Sequence, residues 1–539
     1  MRIEADLVLR GGRIWCGAEI GAAGSLAAFG GKVLATAANG DLDDLIGPRT
    51  RVIDLEGRLA TPGLYDVHLH LLPLGLYMAQ VDLRPKSAPT LDALLQAMAD
   101  RAAAQPKGSW VIGAGYDHFK LDVGRHPTRT ELDRAVPDHP VYVVRTCGHL
   151  AVCNSLALQL AGIDADTPSP PGGLIELVDG ELTGLLAENG RDAVKAVLPE
   201  PSQDDLVEAI ERAGRYCLSF GVTSVMDAAV GMRAGFAEIG AYFRAKREGR
   251  LPVRVDMCLL GGDGGIAERC FEAGLVTGTG DAELRVGPVK IFTDGSAGGR
   301  TAAMVEDYQG GGKGILCLED GALNAFVERY HGQGYQMAIH AIGDAAIEQV
   351  LNAYELALAA RPWPDRRHRI EHCGFSTAQQ IERMVRLGIY PAPQPSFMYD
   401  FGDLYVDVLG EARAAGAYPM RTWLSAGLQP SASTDCPVTD VNPFPNLYSM
   451  VTRRTDRGTL LGGQERLTMA EALTAYTVSS AFAGRSEQEK GRLVPGQLAD
   501  VAVFDTDLLA AEPEAVLQAS CDLAIKGGEV VFDRHAMVG

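Results

Sequence analysis

From about residue 203 onward the chain alternates helical runs with short apolar stretches, and this rhythm restricts the fold more than any other feature. Strand candidates are 222–227, 253–260, 284–293, 335–341, 367–373, 389–394 and 429–435, with the clearest helical patterns over 204–220, 344–360 and 377–387. Apolar strands separated by amphipathic helices make parallel sheets covered on both faces. A further strand comes earlier, in T-P-G-L-Y-D-V-H-L-H at 61–70, where a Thr-Pro-Gly turn leads into an apolar run. Eight strand–helix units predict an α/β chain built on a (β/α)8 TIM-like barrel, whose chemistry sits at the C-terminal ends of its strands.

The remaining segments have other textures. Residues 1–60 hold short alternating stretches at 6–10, 31–35 and 50–55, and the same texture returns at 499–505 and 522–532. Both termini are therefore expected to build one small β-sandwich of antiparallel strands, spanning 1–60 plus 490–539. The barrel then covers 61–75 plus 201–489. Residues 76–200, with a helix over 91–104 and strands at 110–115 and 141–145, form an insertion domain after the first barrel strand.

Composition narrows the partners. A formal charge of -20 excludes the basic patches that bind nucleic acid or an anionic membrane surface. No apolar run reaches the length of a membrane span, and Met1 to Arg10 alternates like a strand rather than a leader peptide, so a soluble, cytoplasmic protein is expected. The ten cysteines show no C-x-x-C spacing, which points to reduced thiols rather than a disulfide framework or a thiolate metal site.

Placed on the barrel, the strand ends carry His68 and His70 (first), Lys290 (fourth), His340 (fifth), His372 (sixth) and Asp435 (eighth). On a strand, residues i and i+2 share a face, which aims His68 and His70 at one point. Each residue alone has a plainer reading: a structural histidine, a snorkelling lysine, an aspartate capping a turn. Together they form the nitrogen and oxygen set that divalent metals such as zinc prefer. Lys290 cannot bind a cation as an ammonium. Buried in an apolar strand it would be neutral, and a neutral amine can take up carbon dioxide to give a bridging carbamate.

These motifs, with V-K-I-F-T-D-G-S-A-G-G-R-T-A at 289–302, I-H-A-I-G-D at 339–344, R-I-E-H at 369–372 and S-T-D-C-P at 433–437, resemble the amidohydrolase superfamily. The resemblance is closest to its YtcJ-like branch, amidohydrolase family 3, which includes N-substituted formamide deformylases. It implies that His68 and His70 hold the more buried metal, that Lys290 is the N-carboxylated bridge, and that His340 and His372 hold a second metal. Asp435 would touch the first metal and serve as general base, then acid. Family members keep one metal or two, so the number stays open. Ala297 and Gly299 depart from the family's usual Leu-like residue and Ser in the fourth-strand motif. The insertion, with G-H-L-A-V-C-N-S-L-A-L at 148–158, would cover the active site, and a homodimer is the oligomer to expect.

The implied activity is hydrolysis of a C–N bond in a small-molecule amide, formamide or cyclic amide by metal-activated water, with Asp435 shuttling the proton. Lactone or ester hydrolysis, deamination and decarboxylation fit the same site, and a non-catalytic barrel scaffold is the alternative from another class. Further residues are candidates for the substrate site: Arg300 as a carboxylate clamp, His149 from the insertion, and Asp117 with His118. Phe397, Met398 and Tyr399 are candidate pocket walls. Asp344 either orients His340 from behind or caps the helix that starts there.

Overall fold

A computed structural model describes residues 4–38, 41–146 and 149–536 of the chain. Two compact units emerge, one comprising residues up to 74 together with 210 onward, the other 75–209.

In the larger unit, seven parallel strands run in chain order around a nearly closed barrel: Leu64–Leu69, Val222–Val230, Arg254–Leu260, Leu284–Phe292, Met337–Ala341, Arg369–His372 and Tyr390–Ala392. Every residue of the first, second and sixth strands is buried, as expected for strands covered on both faces. Tyr65, Val67, Met226, Cys258 and Ala338, drawn from four different strands, pack into one cluster that only a closed interior brings together. The expected eighth strand, 429–435, forms no ladder. Instead Asp435 N donates to His68 O at 2.7 Å and His70 N donates to Cys436 O at 2.8 Å, so an extended segment closes the gap beside the first strand. On its other side Ser433 Oγ donates to Pro393 O at 2.9 Å.

The helices between strands end where short-range chemistry ends them. Ala378–Leu387 starts at a capping box in which Thr377 and Gln380 satisfy each other's backbone N–H, and it stops at Gly388 with φ 66°. Asp344–Ala360 turns Ile347, Val350, Leu351 and Tyr354 inward at helical spacing.

Strands from both termini lie in one eight-stranded hydrogen-bonded sheet, and residues of both ends, Leu26 and Val33 with Val503 and Ile525, share one core. The sheet is not wholly antiparallel. Leu7–Gly17 pairs antiparallel with Gly21–Phe29 but parallel with Arg51–Asp54 over its first half and with Leu59–Pro62 over its second. Gly11, at φ 74°, sits at the change of partner. Thr61 and Pro62, read from sequence as a turn, belong to a strand paired with Val501–Phe504, and the chain passes through Gly63 directly into the barrel. A β-carbon on Gly63 would lie 2.1 Å from Thr223 Oγ1, so the passage is too close for any side chain.

The unit 75–209 carries its own six-stranded mixed sheet, in the order 173–178, 181–188, 150–153, 141–145, 111–116 and 81–82. A separate apolar core covers each face. None of the nine cysteines among the described residues forms a disulfide, and all but Cys317 are buried. No described helix is long and apolar enough to cross a membrane.

Candidate metal centre

Six side chains from five staves of the barrel meet at the C-terminal rim. His68 Nε2 and His70 Nε2 stand 3.3 and 3.2 Å from the same Asp435 oxygen, and all three ligand atoms fall within 4.8 Å of one another. Lys290 Nζ is 3.2 Å from His68 Nε2. The His372 ring lies 4.8 Å from that of His68 and 4.3 Å from that of His340. The convergence does not follow from simple strand alternation. Pairing with the second strand shifts register between Asp66 and Leu69, and His70 lies just past the strand end. His372 and Asp435 both hold left-handed φ, 66° and 57°, a conformation costly for residues with side chains and common where function constrains a strand end.

Three of the four imidazoles are oriented from behind. His68 Nδ1 faces the Glu371 carboxylate, which accepts a fork from Arg369 at 2.8 and 2.7 Å; Arg369 also donates to Val67 O at 3.0 Å. His372 Nδ1 donates to Gln394 Oε1 at 2.6 Å. His340 Nε2 donates to Gly295 O at 3.1 Å and lies 3.2 Å from Asp294. Asp294 in turn accepts the N–H groups of Ala303, Ile342 and Gly343 at 2.9–3.0 Å. Assigned from these partners, the tautomers leave Nε2 of His68 and His372, and Nδ1 of His340, as lone-pair donors. His70 Nδ1 and Asp227 Oδ1 are buried without a hydrogen-bond partner, a complementary donor and acceptor within electrostatic reach of each other.

Electrostatics favours the ligating forms. Burial raises the Asp435 pKa, but His68, His70 and His372 outweigh it and hold the carboxyl well below the usual range, hence ionised. Burial depresses the Lys290 ammonium against the pull of Glu371 and Asp435, with only 1% of the residue exposed. Burial and then His340 push His372 well below the ordinary imidazole value, so it stays neutral. Burial also opposes ionisation of Glu371, and the Arg369 and His68 charges overcome it. Imidazole nitrogens of His68 and His70 and a carboxylate oxygen of Asp435 turned to one point, with further nitrogen donors beside them, fit a divalent cation.

The other candidates have partners of their own. Asp344 does not orient His340: its carboxylate accepts from Val305 N at 2.8 Å and Ala345 N at 3.0 Å, and Asp294 takes the position against the imidazole. Asp344 opens a helix, where an acid finds backbone N–H groups first. Arg300 is exposed, its guanidinium beside Gly310, and none of its hydrogen bonds reaches the six residues. His149 pairs with Glu188 at 2.9 Å and Asp117 with Arg145 at 3.1 Å, both within the unit 75–209. In that unit His118 stacks between Phe119 and His126. Phe397 stacks on His372 at 6.1 Å, Met398 is buried, and Tyr399 packs edge-on against Tyr448. Sequence reasoning passed over Arg369, Glu371, Asp294 and Gln394. Charges inside an apolar four-residue strand, R-I-E-H, were the available signal.

A parallel barrel with imidazoles, a lysine and an aspartate gathered at its C-terminal rim defines the scaffold of a metal-dependent hydrolase. The chain belongs to the amidohydrolase family, whose model matches residues 51–532. YtcJ of Bacillus subtilis is 32% identical over 502 residues, 90% of this chain and 91% of its own length. N-substituted formamide deformylase of Arthrobacter pascens is 30% identical over 488 residues, covering 89% of each chain. Among solved structures, an uncharacterized metal-dependent hydrolase from Pyrococcus horikoshii aligns with a TM-score of 0.77 and 29% identity over 94% of this chain and 99% of its own. The protein is a hydrolase of this family.

Proposed function

We propose that the protein hydrolyses a C–N bond of a small amide, formamide or cyclic amide, with a divalent metal, zinc by preference, held by His68, His70 and Asp435. The single observation that carries this reading is the convergence of His68 Nε2, His70 Nε2 and the Asp435 carboxylate within 4.8 Å. Lys290, its amine kept neutral by burial, takes up carbon dioxide and loses a proton to become a carbamate; His340 and His372 complete the ring as holders of a second ion. Bound there, such ions acidify a water molecule and polarise a carbonyl oxygen. The formamide class is suggested by the name of the Arthrobacter pascens relative.

The chain's own residues supply the proton traffic. Asp435, ionised, accepts the proton of the attacking water. It then returns that proton to the departing nitrogen, since an amide anion leaves poorly without it. Arg369 and Glu371 keep the His68 ring from turning during this exchange, and Gln394 does the same for His372.

The test is a panel of N-formyl amines, N-acyl amino acids, cyclic amides and lactones assayed with metal-loaded wild type and D435N. Turnover of a C–N substrate that vanishes in D435N while metal content is retained supports the reading. Turnover of lactones alone, or an unchanged kcat in D435N, refutes it. K290A should lose metal and activity together and regain part of both with short-chain carboxylates; a fully metallated, active K290A removes the carbamate.

A further inference from the structure

A pocket of about 360 Å³ opens at the end of the barrel away from the converging histidines. It is bounded by the segment 363–368 that enters the sixth strand, the last turn of Ala378–Leu387, and the start of the seventh strand. Both strands run from this end toward the rim that carries His372, so the pocket lies at their N-terminal edge. Apolar side chains, Leu358, Trp363 and Val385 among them, share its walls with the charged Asp365, Arg367 and Arg386.

Arg366 lines this pocket and is only 7% exposed. Its Nη1 donates to Gly334 O at 2.5 Å. Nε and Nη2, the two nitrogens of its side-on edge, are buried without any hydrogen-bond partner. The guanidinium carbon lies 3.2 Å from the centre of the Trp363 ring. Among the described residues no acid pairs with it. Asp365, its neighbour in sequence, is taken by Arg367 and Arg485. Burial, and then the like charge of Arg485, bring the Arg366 pKa down to about 10, so the group is still a cation at neutral pH. A buried charge with idle donors is costly, and folded proteins ordinarily pair it. Among the described residues no acceptor takes these donors.

We propose that this pocket binds a small carboxylate carried on an apolar body, gripped side-on by Nε and Nη2 of Arg366, with Trp363 as its movable wall. That edge of a guanidinium presents two parallel N–H groups matched to the two oxygens of a carboxylate. Phosphate would satisfy the fork and leave the apolar walls unused. Both donors are sealed from solvent, so entry requires the indole of Trp363, 40% exposed, to swing aside. Occupancy is thereby tied to the environment of one tryptophan.

The full-length protein is titrated with benzoate, acetate and inorganic phosphate, following thermal stability and tryptophan fluorescence. Benzoate should stabilise wild type saturably and change the fluorescence, with the optical signal absent in W363F. Loss of the fork in R366Q should weaken benzoate by about tenfold or more. V385E sets a carboxylate on an exposed helical wall of the pocket and should weaken it comparably, which keeps the test decisive if R366Q does not fold. No saturable benzoate effect on wild type, equal binding by V385E or a folded R366Q, or binding of phosphate without benzoate, each overturns the assignment.

Discussion

Removing the Glu371 carboxylate isolates one buried charge and so tests the orienting network directly. In E371A, Arg369 keeps its bond to Val67 O but loses both oxygens of its fork, at a position 1% exposed. Breaking a buried pair by removing one partner costs about 3–5 kcal/mol, because the other charge is stranded. His68 simultaneously loses the acceptor for its Nδ1 proton, and loss of such a partner typically lowers metal affinity about 10–100-fold. The two consequences separate in the double variant R369M/E371L. It removes both charges at similar volume and should recover most of the stability but none of the metal affinity. Urea unfolding of metal-stripped protein reads the first effect, and competition with a chromophoric chelator reads the second. A cost below about 1 kcal/mol for E371A, or a double variant no more stable than the single, would refute the stranded-charge argument. Unchanged metal affinity would separate Glu371 from the imidazole it faces.

Three further outcomes are expected. His126 stacks on His118 and bonds Tyr116, and burial, then the His118 and Arg145 charges, lower its pKa to about 4 against a weaker opposing pull from Glu176. The folded value lies below the unfolded one, so its contribution is complete above about 6.5 and is lost as pH falls through about 4; an NMR titration of its ring with a midpoint near 6.5 would contradict this. A β-carbon at Gly343 would stand 1.9 Å from the Ala303 carbonyl oxygen, so G343A should destabilise by about 1–3 kcal/mol or more and loosen the loop that holds Asp294; a neutral melting temperature would show the loop to be compliant. T377A removes one half of a capping box and should cost about 1 kcal/mol, read as faster amide exchange confined to the first turn of Ala378–Leu387.

Much of the barrel was legible because its signals are short-range. The helix Asp344–Ala360 follows from apolar spacing, and that at 378–387 from Thr377, Gln380 and Gly388. The six rim residues stand out in the sequence because histidines, a lysine and an aspartate recur at the ends of apolar runs, and the structure gathers them. What the local pattern misplaced were groups whose partners lie far along the chain. Asp344 and Asp294 are both acids just past a strand, yet only Asp294 meets His340. The segment 429–435 reads as a strand but is held by scattered bonds rather than a ladder, among them Asp435 N to His68 O, Thr434 Oγ1 to Asp66 and Ser433 Oγ to Pro393 O.

Sequence alone therefore determined most of the barrel's succession of strands and helices and the inventory of ligand-type side chains, since these depend on neighbours within a few residues. Tertiary structure alone decided that His68 and His70 share one Asp435 oxygen, that Arg369 and Glu371 stand behind His68, and that Arg366 is buried with two idle donors. Those facts depend on barrel closure and on register shifts between strands more than a hundred residues apart, where the free energy of a contact is set by which distant groups the fold brings into the same dry space.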